Sequence, residues 1–132
     1  MGVGRATKLC IMEVKDGNTP EERPAKVIMQ GLAYAQFVLE LLRSASGEKW
    51  WHIFGFAGKC PEAIELYVVC VMPSTSNNDT SFEGKVINAA PDSNDRFILH
   101  YMYFEEVDNK LINITTSLPK CMVIRDMTAG SL

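Results

Sequence analysis

The chain has 132 residues, with 47 % hydrophobic and 22 % charged side chains and a net charge of −3. That length suits one domain, able to bury roughly two-thirds of its unfolded surface without a disulfide or a metal, and the composition excludes a disordered, collagen-like or coiled-coil chain. The pI of about 5.4 leaves no global basic field for nucleic acid, so only a local basic cleft could hold it.

Cys10, Cys60, Cys70 and Cys121 have no C-x-x-C spacing, which excludes a zinc knuckle or a dithiol redox motif. Cys10 and Cys70 sit in apolar runs, where a free cysteine behaves as a small hydrophobe. Reduced thiols predict an intracellular chain, cytoplasmic or nuclear. Residues 1–8 carry no apolar signal core, and Ala6 stands where a myristoylation motif needs Ser or Thr. No apolar run is read as approaching the ~18 residues of a membrane span, and no membrane association is expected.

In chain order, Leu9–Val14 (LCIMEV) is a short apolar run with one acid near its end, as in a mostly buried strand. Asp16-Gly17-Asn18 reads as a turn, and Thr19 with Glu22 as a capping box. The main helix is predicted over residues 24–43. Ile28, Leu32, Ala35, Leu39 and Leu42 recur there at helical spacing, and the apolar sector is wide. The aromatic run 50–56 predicts a strand, and the apolar run 63–72 a central strand. Residues 73–81 form a polar loop. Further strands are predicted over 83–88, 96–104 and 110–116, the last two flanking a loop at 105–109, with an edge strand at 122–125. The fold class is therefore α+β: a mixed sheet of about six strands with one long helix on one face.

The stretch that carries chemistry is Glu13-Val14-Lys15. Strand alternation puts Glu13 and Lys15 on one face. A carboxylate there can hold a hard cation such as Mg²⁺, and the ammonium beside it can steady developing negative charge or a water. The ordinary alternative is a surface ion pair leaving the sheet. In the helix that follows, Gln30 and Tyr34 lie four residues apart and share a face.

A strand bearing Glu-x-Lys followed by a helix bearing Gln-x-x-x-Tyr resembles the PD-(D/E)XK nuclease superfamily, over residues 9–56. The resemblance implies a restriction-endonuclease-like fold and a Mg²⁺-dependent phosphodiesterase acting on nucleic acid. Glu13 and the Val14 carbonyl would bind the metal, Lys15 would act on the attacking water or the phosphate, and Gln30 and Tyr34 would support the site. The family also carries an Asp on an upstream strand. Residues 1–8 contain no acid, so the fold reads as N-terminally incomplete and the site lacks that ligand. A fragment of a longer protein, a domain that has lost catalysis, and an Asp supplied from elsewhere all fit this pattern. Negligible nuclease activity is expected of the chain alone. Pro91-Asp92 reads as a turn rather than a permuted motif.

The rival reading is a non-catalytic protein-interaction or oligomerisation module. An unpaired apolar edge at residues 9–14 and the wide apolar sector of the helix predict a homodimer through sheet edges or a sheet face. Other chemistries find no support. His52 and His100 are isolated and read as strand histidines, no nucleophile-elbow context surrounds a Ser or Cys, and Gly2-Val3-Gly4 lacks the strand and helix of a phosphate loop.

Overall fold

The structure, a computed structural model, describes residues 8–15, 23–74 and 84–118. The element order is β1 (Leu9–Val14), α1 (Pro24–Leu42), α2 (Gly47–Ile53), β2 (Glu65–Pro73), β3 (Val86–Asn88), β4 (Arg96–Val107) and β5 (Lys110–Thr116). It is an α+β fold whose mixed sheet has five strands, with two helices where one was expected. The turn at 16–18, the capping box at 19–22, Cys121 and the strand at 122–125 lie outside the described residues, as does most of the loop at 73–81.

β1, β2 and β4 are parallel neighbours in that order. β3 and β5 both pair antiparallel with β4, β3 along its first half and β5 along its second. Parallel neighbours need a crossover, and α1 with α2 supplies the one between β1 and β2. The alternation along the strands builds two faces. Leu66, Val68, Cys70 and Met72 join Phe97 and Leu99 under α1, in a core with Val27, Ala35 and Leu39. On the other face, Val69, Val71 and Phe104 cluster with Leu118, with Cys10, Met12 and Tyr67 packed against them.

α1 starts where the sequence places it, because Pro24 fills the first helical position, where a missing N–H costs nothing. By length and mean hydropathy α1 could also cross a bilayer, so the reading that no stretch approaches a span is corrected for this helix, although its inner face packs on the sheet.

The strand expected at 50–56 is instead α2 followed by a turn. Gly47 permits the reversal out of α1, because a Cβ there would lie 2.0 Å from the Leu42 carbonyl oxygen. Helical spacing then stacks Trp50 on the C-cap residue Phe54 at 6.0 Å, and the turn after α2 folds Phe56 onto Trp51 at 4.1 Å. Glu48 in the first turn and His52 in the last suit the helix dipole. His52 is therefore a helix residue, its Nε2 donating to the Gly58 carbonyl at 2.7 Å. The loop expected at 105–109 shrinks to a two-residue turn, Asp108-Asn109, because β4 runs on to Val107. Pro91-Asp92 is a turn, as read from the sequence.

Candidate functional site

Glu13 and Lys15 stand together at the carboxyl end of β1, at the end of the parallel strands where open α/β sheets place their ligands. Period-2 alternation brings both to the face that α1 covers, and the Lys15 Nζ is 3.5 Å from the Glu13 Oε1. The Lys15 backbone N–H donates to the Val71 carbonyl at 2.8 Å, holding this end of β1 against β2. Glu13 sits in register with Cys70 of β2, and Cys70 with Tyr101 of β4. Burial pushes the Cys70 thiol up to about 12, and the charge of Glu13 adds to the effect.

α1 reaches this site through Gly31. A Cβ on Gly31 would be 3.6 Å from the Glu13 Cβ, so the helix backbone rests almost directly on the acid. Gln30, the preceding residue, is half-buried on the flank of the helix. Tyr34, one turn on, is 58 % exposed and stands out to solvent. The structure thus brings Glu13 and Lys15 into contact and seats the helix step beside Gln30 over them. It leaves Tyr34 outside the packed part. The Val14 side chain points to the opposite face and is exposed, so only the backbone of Val14 adjoins the pair.

Magnesium takes about six oxygen ligands in near-octahedral geometry. Here one carboxylate is present, and an ammonium already answers its charge. Among the described residues, no group of three or more His, Cys, Asp or Glu comes together. Those residues alone do not fit a magnesium ion. What the pair offers unaided is a positive group that can meet a phosphate oxygen and a carboxylate that can accept a proton or a hydrogen bond.

Sequence reasoning missed the best-braced polar group, the carboxylate of Asp95. Asp95 is 4 % exposed. It takes the Arg43 Nε at 2.9 Å and the Ile64 N–H at 2.9 Å. Arg43 also donates to the Pro61 and Glu62 carbonyls at 2.9 Å each. The cluster ties the end of α1 to the starts of β2 and β4, at the opposite end of the sheet from Glu13, and its role is to hold the fold. No local pattern marks it, because the partners are far apart in sequence. The same end carries a cavity of about 110 Å³, lined by Lys8, Ile64 and Glu65 among others, too small for a nucleotide. His100 lies in β4 as a strand histidine, on the second face of the sheet, stacked on Tyr67 and bonded through Nδ1 to the Ser117 hydroxyl at 2.8 Å.

Compared with protein families, curated proteins and solved structures, the chain matches none.

Proposed function

We propose that the chain is a PD-(D/E)XK-type domain, descended from Mg²⁺-dependent nucleic-acid phosphodiesterases, that holds a phosphodiester at the Glu13–Lys15 strand end and does not cleave it alone. The observation that supports this reading is the Glu13–Lys15 contact at the carboxyl end of β1, roofed by α1 at Gly31 beside Gln30. Lys15 would meet the phosphate as a point charge. Glu13 orients the ammonium and repels a second anion unless a cation intervenes.

Fluorescence anisotropy with a short labelled single strand, DNA and RNA in parallel, tests this at low salt. Without divalent ions, Lys15→Ala weakens binding several-fold and Glu13→Gln tightens it, because one removes a cation and the other an anion. If Glu13 takes part in holding a metal in the complete site, Mg²⁺ tightens binding by the wild type and not by Glu13→Gln. Binding that ignores both substitutions, or no binding at all, overturns the reading. Cleavage abolished by Glu13→Gln would show that the chain holds a full catalytic site.

The second reading, an interaction or oligomerisation module, is favoured by a separate observation. Met29 and Phe37 of α1 are 63 % and 59 % exposed on the side turned away from the sheet.

A further inference from the structure

We propose that α1 pairs antiparallel with α1 of a second copy of this chain, about a two-fold axis passing Ala33. This deepens the interaction reading and is independent of the phosphodiester site. At 100° per residue, Ala33 points almost straight away from the face that buries Pro24, Gly31, Ala35 and Leu42. Lys26, Met29, Phe37 and Glu40 fall within about 40° of Ala33 on the helical wheel. All five are exposed.

Their order is what selects a second copy as the occupant. Lys26, Met29, Ala33, Phe37 and Glu40 are spaced three, four, four and three residues apart, so the pattern reads the same from either end. In an antiparallel two-fold pair each residue meets the one equally far beyond the axis on the partner helix. Met29 then meets Phe37, a thioether against a ring, and Lys26 meets Glu40, opposite charges at both ends of the seam. Ala33 meets Ala33 on the axis, and a small side chain there lets the backbones approach. A parallel arrangement would set Lys26 on Lys26 and Glu40 on Glu40. The stripe is thus complementary to itself in one orientation.

The 19 residues of α1 give a seam roughly 28 Å long. One helix face buries less than the ~800 Å² per partner of a standard-size complex, so the pair belongs with weak, concentration-dependent associations.

Sedimentation equilibrium of the full chain from 5 to 500 µM reads the association. The expected result is a concentration-dependent rise from 14.7 kDa towards twice that mass. Ala33→Glu sets two carboxylates on the axis and gives a monomer throughout. Lys26→Glu alone and Glu40→Lys alone each weaken the dimer by about tenfold at low salt, since each puts like charges at both ends. The double variant Lys26→Glu/Glu40→Lys restores it. All these positions are exposed, so circular dichroism of each variant should match the wild type. A wild type that stays at the chain mass up to 500 µM overturns the proposal, as does a dimer unmoved by Ala33→Glu, which would place its interface elsewhere, such as the β1 edge. A monomer that co-sediments with phosphatidylcholine vesicles would make the stripe a lipid-facing surface and overturn the dimer as well.

Discussion

A Cβ on Gly31 would lie 2.8 Å from the Cγ1 of Val68, closer than two carbons can stand. Val68 is fully buried in β2, and its β-branched side chain has no easy rotamer to retreat to. Gly31→Ala therefore sets two effects against each other. Helix propensity favours Ala by about 1 kcal/mol. Overpacking against a rigid, buried neighbour costs about 1–3 kcal/mol. Overpacking wins here because the obstruction is a methyl held by the sheet rather than the free end of a long side chain. Urea unfolding should show Gly31→Ala less stable by about 1–2 kcal/mol with an unchanged slope. A midpoint equal to or above the wild type would mean that α1 rides loosely on β2.

The Asp95 carboxylate makes part of the fold's stability sensitive to acid. Burial alone would raise its pKa, but the hydrogen bonds from Arg43 and the Ile64 N–H, with the charge of Arg43, outweigh this and hold it below the ordinary 3.8. A carboxyl depressed in the folded state contributes stability above its unfolded pKa and loses it as pH falls through the folded value. Asp95→Asn should cost about 3 kcal/mol at pH 7, the low end for a broken buried pair because Arg43 is partly in solvent. The gap between variant and wild type should close as pH is lowered from 5 to 2, followed by urea midpoints at each pH. A gap independent of pH would mean that lost hydrogen-bond geometry, not charge, carries the cost.

Local spacing carries part of this fold, and contacts distant in sequence carry the rest. Glu13 and Lys15 were legible because a strand has period 2, so a spacing of two residues fixes a shared face wherever the strand lies. Trp50 and Trp51 point to a strand by propensity, because aromatic residues favour strands in general, while here Trp50–Phe54 spacing and the tight reversal at Gly47 decide for a helix. The signal was present: an acid at position 48, a histidine at 52 and aromatics four apart. Asp95 was illegible because its meaning lies in Arg43, distant in sequence and joined to it only by the fold. Gly31 was illegible for a similar reason, since only the packed helix shows that the position excludes a side chain.

The β4–β5 turn offers a test of backbone strain. Asp108 and Asn109 have φ of 51° and 62°, the paired left-handed conformation of a type I′ turn. Asp and Asn tolerate it, and a β-branched residue does not. Asn109→Val should destabilise by about 1–2 kcal/mol. Asn109→Gly should be neutral or stabilising by up to about 0.5 kcal/mol, the relief of strain offset by the freer unfolded chain. Thermal unfolding of the two variants side by side measures both. Equal midpoints for Val and Gly would mean that the hairpin end is not structured in this way.

Glu13 stands in register with the thiol of Cys70 on the neighbouring strand. Cys10 and Cys70 lie on adjacent strands but face opposite sides of the sheet. Burial pushes the Cys10 thiol up to about 11 and the Cys70 thiol up to about 12, with the charge of Glu13 adding only to the second. The thiolate is the reactive form. Iodoacetamide at pH 8 should leave both unmodified in the native chain while labelling both completely in urea. A thiol whose pKa is raised by folding contributes stability below its ordinary 9.0 and loses it as pH climbs towards the folded value, so the fold should weaken from about pH 9 to 12. Glu13→Gln separates the two residues. Removing the carboxylate charge lowers the Cys70 thiol and leaves Cys10 as it was. At pH 9.5, peptide mass spectrometry should therefore show Cys70 labelled several-fold faster in Glu13→Gln than in the wild type, with Cys10 as the internal reference for any general loosening. Parallel acceleration of both would trace the effect to unfolding, and no acceleration would show that the Glu13 charge does not reach Cys70.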